Sequence, residues 1–140
     1  ETGSLLSLTG SHDDINYESI IWSKKNEIED LSKFDIGIYP LPMNDEWVIG
    51  KSGLKSLQYM ALGIPSVSTN FGNIKKIIKH GHNGILTQNN NWDNALIELI
   101  DNVELRKKIG KNSIETIKEF YSKIPQFLPD IRNNYRLYYS

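Results

Sequence analysis

Apolar residues occur along this chain in short runs separated by polar punctuation, and the runs alternate between two periods. The run from Ser4 to Gly10 closes on Gly10 and the polar stretch Ser11-His12-Asp13-Asp14, which predicts a buried strand. Tyr17 to Trp22, aromatic and β-branched, predicts a second strand; Lys24, Lys25, Asn26, Glu27 and Glu29 then lead towards Leu31 and Phe34 as a short polar helix. Asp35 to Leu41 predicts a third strand that ends near Pro40, because proline has no N–H for the ladder. Pro42 to Gly50 reads as a loop, and a helix is expected from near Lys51 to Leu62. Gly63 suits the C-cap of that helix and Pro65 the start of the next strand, Ile64 to Thr69. Ile74, Ile77 and Ile78 fall at helical spacing, and Asn83 to Thr87 reads as a turn and a brief strand. Trp92, Leu96, Leu99 and Ile100 form one helical stripe, introduced by a turn at Asn89-Asn90-Asn91. Ile109, Ile114, Ile117 and Phe120 form a second stripe, with Gly110 expected to break it between Glu104 and Tyr121. Pro125 and Pro129 interrupt the pattern before a terminal helix.

Strands alternating with helices call for right-handed crossovers, so the predicted class is α/β: a Rossmann-like parallel sheet with helices on both faces. The 140 residues fit one domain with a real core. Sixteen Lys and Arg nearly balance 17 Asp and Glu, so total charge demands neither nucleic acid nor an anionic membrane as partner. The absence of cysteine excludes disulfides, thiolate metal sites and cysteine nucleophiles. No apolar run approaches the roughly 20 residues that span a bilayer, so the domain is expected to be soluble. Glu1-Thr2-Gly3 reads as a fragment end or cloning scar, residues 4–124 as the Rossmann-like domain, and residues 125–140 as a helical C-terminal extension.

The candidate chemistry lies in the stretch from Gly50 to Gln58. A helix starting near Lys51 presents the unpaired amides of Ser52, Gly53 and Leu54 at the positive end of its dipole, and glycines at 50 and 53 let an anion approach the backbone. At about 100° per residue, Lys51, Lys55 and Gln58 share one strip, with Leu54, Leu57 and Ala61 on the adjacent, core-facing one. The same residues also describe a solvated face above a tight turn, and they match neither the Walker nor the dinucleotide fingerprint.

The stretch from Phe34 to Leu86 resembles the donor-binding half of a GT-B glycosyltransferase, most closely the retaining family 4 that uses nucleotide sugars. The residues that carry the resemblance are Asp35, Pro40, Gly50 to Gly53, Ala61-Leu62-Gly63-Ile64-Pro65, Phe71-Gly72 and Asn83-Gly84. It extends more weakly over Ser4 to Tyr121. The resemblance implies a hexosyltransferase-type enzyme moving sugar from a UDP- or GDP-sugar to an acceptor hydroxyl in polysaccharide or glycoconjugate synthesis, in the cytoplasm. It implies donor contacts from Gly50, Lys51, Ser52, Gly53, Leu54, Lys55 and Gln58, with Trp22 beside the nucleobase, and neither metal nor other cofactor. It also implies that the first β–α unit and the acceptor-binding N-terminal lobe lie outside this chain, which alone is expected to be inactive, and that the full-length protein contacts a membrane peripherally. Two glutamates usual in the family are replaced here, by Gly50 and Gln58, and no catalytic residue is assigned. Asp45 and Glu46 stand near the first of these in sequence, and an acidic position after the glycine loop is Lys76. The alternative is a non-catalytic Rossmann-like interaction module that has lost the chemistry.

Other single residues read more simply. Trp22 at a strand end reads more readily as core or rim packing than as a base contact, and Trp47 divides evenly between ligand and loop. His80 and His82 have poor zinc spacing and are read, like His12, as loop residues. Tyr135, Tyr138 and Tyr139 with Arg132 and Arg136 are read as packing rather than as a membrane-surface helix.

Overall fold

The computed structural model describes residues 8–12, 15–41, 53–88 and 91–122. The chain divides into two compact units, Glu1–Lys33 and Phe34–Ser140.

In the first unit, β1 (Leu8–His12) and β2 (Ile15–Ser19) pair antiparallel, with Leu8 opposite Ser19 and His12 opposite Ile15. This corrects the expected pair of parallel-sheet strands at 4–10 and 17–22. Only Asp13 and Asp14 separate the strands, and a link that short permits a hairpin, whereas a parallel crossover needs a dozen residues or more. A hairpin need not bury both faces, so polar Ser11 and His12 continue the strand instead of ending it. Helix α1 (Glu27–Leu31) carries Glu27, Glu29 and Asp30 in its first turn, where the dipole favours them, and buries Leu31.

The second unit holds the parallel sheet. Its strands β3 (Gly37–Tyr39), β4 (Ser66–Thr69) and β5 (Ile85–Thr87) lie in the order β3-β4-β5, with Ile38 opposite Val67 and Val67 opposite Ile85. Helices α2 (Leu54–Ala61), α3 (Ile74–Ile77), α4 (Trp92–Asp101) and α5 (Val103–Ser122) complete it. Every residue of β4 is buried. Val67 packs with Ile85, Ala95, Leu99 and Ile109, while the hydroxyl of the next residue, Ser68, meets Ser56 of α2. Successive strand side chains point to opposite faces, so α4 and α2 cover the two sides of the sheet. Helix α5 serves both: Ile109 joins the Val67 cluster, and Ile117 packs with Leu41, Met60, Ala61, Ile74 and Ile78. Each such aliphatic side chain, fully buried, contributes about 1.5–3 kcal/mol.

Gly63 ends α2 as its sequence position predicts. With φ at 68° it lets Ile64 N donate to Tyr59 O at 2.9 Å and Gly63 N to Met60 O at 3.1 Å, the paired bonds of a Schellman motif. Gly110 is a correction, because α5 runs through it unbroken. A Cβ there would collide with the carbonyl oxygen of Gly63, so the glycine marks a point where two backbones touch. The break comes earlier, at Asn102, whose Oδ1 accepts from Leu105 N at 2.9 Å while Arg106 Nη1 donates to Leu99 O and Ile100 O at 2.6 and 2.8 Å. These side chains satisfy backbone groups at the end of α4 and the start of α5. The predicted helix at 125–140 lies outside the described residues.

Two outcomes follow from this packing. Gly110→Ala, which in an open helix would gain up to about 1 kcal/mol, is expected to cost about 1–3 kcal/mol, read as a lower denaturation midpoint. The Tyr59 hydroxyl donates to Ile38 O at 3.2 Å, and burial raises its pKa above the ordinary phenol value. The folded protein therefore holds that proton more tightly than the unfolded chain. Stability from this source is whole below about pH 10 and falls as pH rises beyond it; Tyr59→Phe should flatten that alkaline slope in denaturant titrations.

Candidate functional site

The open end of a parallel sheet is where its strands finish and its helices begin. Here β3 ends at Tyr39, and the next described helix in the chain is α2, whose N-cap Gly53 has φ 72°. A left-handed residue cannot sit inside a right-handed helix, so α2 starts at Leu54 and not near Lys51 as the sequence pattern predicts. The first intrahelical bond among the described residues runs from Leu57 N to Gly53 O at 3.1 Å, so the amides of the first turn point out of the helix at its start. Among the described residues no side chain caps this end, and no acidic residue occupies the first turn. The helix start thus offers oriented donors and a positive dipole end with no carboxylate of its own to neutralise them.

The side chains predicted for the site divide into three groups. Gly53, Leu54, Lys55 and Gln58 lie together on the first turns of α2. Lys55 is half-buried, and Gln58, one turn on along the same strip, is 7% exposed. Leu54, expected to face the core, is 52% exposed, because it now stands at the open first position of the helix; its backbone amide is what it brings to the site. Gly50, Lys51 and Ser52 lie outside the described residues, as do Asp45, Glu46 and Trp47. Trp22 belongs to the first unit, past the end of β2, and is 66% exposed.

Gln58 Oε1 is buried without a hydrogen-bond partner among the described residues. An orphaned buried acceptor costs about 1–3 kcal/mol, so its retention calls for a reason outside folding. At the carboxyl edge of the sheet, Asn70 Oδ1 and Thr87 Oγ1 are orphaned too, while Asn70 N donates to Thr87 O at 2.8 Å.

Four polar residues to which sequence patterning gave no such role tie the elements of the second unit together. Thr69 Oγ1 accepts from Leu41 N at 2.8 Å, and the hydroxyls of Ser56 and Ser68 lie 2.9 Å apart. Asn83, read in the sequence only as a turn residue, is 1% exposed: its Oδ1 accepts from Lys79 N at 2.7 Å, and its Nδ2 donates to Ile77 O and to Thr116 Oγ1 of α5 at 3.2 and 3.1 Å. The only sequence signal was the run of small polar residues inside an otherwise apolar strand. His80 and His82 are loop residues as expected, whereas His12 is the last residue of β1; His80 Nδ1 accepts from Leu86 N at 3.1 Å, and His82 O accepts from Asn112 Nδ2 at 2.9 Å.

Residues 23–116 match the family model described as glycosyl transferases group 1. The chain is 37% identical over 71 residues to an uncharacterized glycosyltransferase of Methanocaldococcus jannaschii, covering 49% of this chain and 20% of that protein. It is 37% identical over 62 residues to a D-inositol 3-phosphate glycosyltransferase of Paenarthrobacter aurescens, covering 42% of this chain and 15% of that protein. Its fold is similar, at a TM-score of 0.56 and 24% identity, to the C-terminal domain of a glycosyl transferase group 1 family protein (LpcC) from Francisella tularensis, over 72% of this chain and 51% of that one. The matched stretches thus span a fifth or less of the length of these two curated relatives.

Because Gln58 Oε1 finds no partner among the described residues, Gln58→Met is expected to leave the fold as stable as before or more stable by up to about 1–3 kcal/mol, measured by thermal or denaturant unfolding.

Proposed function

The chain belongs to the glycosyl transferases group 1, and on that premise we propose that its second unit seats the nucleoside diphosphate of a sugar donor at the start of α2. The observation that carries the proposal is the acid-free first turn of α2, with the buried Gln58 oxygen one turn further in, neither of them capped or paired by a side chain among the described residues. The amides of Leu54, Lys55 and Ser56 and the Lys55 ammonium meet the diphosphate, with Gly50, Lys51 and Ser52 preceding them in sequence. Gln58, a neutral amide that can both accept and donate, takes a ribose hydroxyl.

In this reading the full-length protein transfers the sugar from a UDP- or GDP-sugar to an acceptor hydroxyl. As the sugar–phosphate bond lengthens, negative charge grows on the departing diphosphate and positive character on the sugar. Donors already oriented at the helix start stabilise the first of these without reorganising as the charge develops. The position held by a glutamate in the resembled family is Gly50, so no carboxylate at that point faces the sugar. The acceptor is bound by parts of the full-length protein beyond this unit. Synthesis of a polysaccharide or glycoconjugate in the cytoplasm, with peripheral membrane contact, completes the proposal; no helix among the described residues is long and apolar enough to cross a membrane.

Titrating the full-length protein with UDP and GDP, while following the amides of Gly53, Leu54, Lys55 and Ser56, tests the reading. Shifts at these amides are expected at submillimolar nucleotide, and no response at millimolar concentration would remove it. Lys55→Ala and Gln58→Met should each weaken nucleotide binding by about tenfold, the worth of one charge-assisted or buried hydrogen bond, and Gln58→Met should do so without loss of stability.

A further inference from the structure

Leu41 and Ser56 flank the segment that joins β3 to α2, and both are held by consecutive residues of β4. Thr69 Oγ1 accepts from Leu41 N at 2.8 Å, and Ser68 Oγ lies 2.9 Å from Ser56 Oγ. These bonds span 28 and 12 residues of sequence, and Ser56, Ser68 and Thr69 are 2%, 0% and 4% exposed. The last backbone pair between β3 and β4 joins Tyr39 to Ser68, so Leu41 lies beyond the ladder. β4 is the central strand, paired on both sides and buried throughout. Valine at 69 would fill the same volume, suit a strand better and need no partner, so a buried threonine is explained by the bond it makes. The two hydroxyls leave the strand on opposite faces, so Leu41 and Ser56 are held from opposite sides of β4.

We propose that Ser68 and Thr69 are positioning residues for nucleotide binding: from β4 they fix the exit of β3 and the first turn of α2, and so set where the amides of Leu54, Lys55 and Ser56 point. Oriented donors lose their effect when displaced by about 1 Å, and a central strand is the firmest anchor the unit has. The inference rests on the diphosphate reading above and adds to it two residues that need not touch the ligand.

The test uses the full-length protein, with UDP, GDP and inorganic pyrophosphate as calorimetric probes. Thr69→Val and the double variant Ser56→Ala/Ser68→Ala are expected to weaken nucleotide and pyrophosphate by the same factor, about tenfold, and Thr69→Ser to bind within about twofold of the wild type. The double variant leaves neither hydroxyl unpaired, so its melting midpoint should stay near that of the wild type. Wild-type affinity in both Thr69→Val and the double variant would overturn the proposal. So would a Thr69→Ser variant as weak as Thr69→Val, since the hydroxyl would then be irrelevant. If the wild-type protein answers none of the probes, the diphosphate reading fails, and amide exchange without ligand still judges the clasp. Exchange at Leu57 about tenfold faster in the double variant supports it, and unchanged exchange overturns it.

Discussion

The placing of α2 depends on the backbone of Gly110 in α5 lying against that of Gly63. A methyl group at residue 110 would strike the Gly63 carbonyl, and one at residue 63 would lie 2.7 Å from Ile114 Cδ1. With both side chains absent, α5 lies directly on the turn that ends α2, and Ser113 Oγ reaches Met60 O at 3.2 Å. The C-terminal end of α2 is thereby fixed against α5, while its N-terminal end is fixed against β4. A helix held at both ends presents its first-turn amides in one direction, which an anion site requires before any ligand arrives.

Buried polar groups are satisfied unevenly in the unit. Gln58, Asn70 and Thr87 each bury an oxygen that finds no partner among the described residues, whereas Asn83, equally buried, has all its polar atoms engaged. Ser66 Oγ, at the start of β4, also lacks a partner among the described residues, so such groups occur at both ends of the sheet and it is the burial of the Gln58 oxygen on the first turns of α2 that bears on a ligand.

The sequence revealed the features that depend on local chemistry. Gly63 terminates α2 because only a left-handed residue completes the Schellman bonds, and the short apolar run at Ile85 becomes a strand because both of its faces are covered. It misled where tertiary or turn geometry decides. The β1–β2 hairpin turns on a two-residue link that apolar periodicity does not register. Gly110 looked like a helix breaker, although its reason lies 47 positions away at Gly63. The start of α2 slipped to Leu54 because Gly53 took a positive φ, and that moved Leu54 from the core to the rim. Ser56, Ser68 and Thr69 resembled ordinary polar substitutions in apolar elements, since hydroxyl partners far apart in sequence leave no periodic trace.

Asn83 has a consequence for how the chain reaches this state. Through Thr116 it binds a central loop to the last described helix, and Ser113 does the same for α2. The sheet can form early from its own strands, but its helical cover is completed only by residues near the end of α5. During synthesis, then, the second unit must wait on the ribosome for that helix to emerge, and its apolar faces are exposed to chaperones until it does.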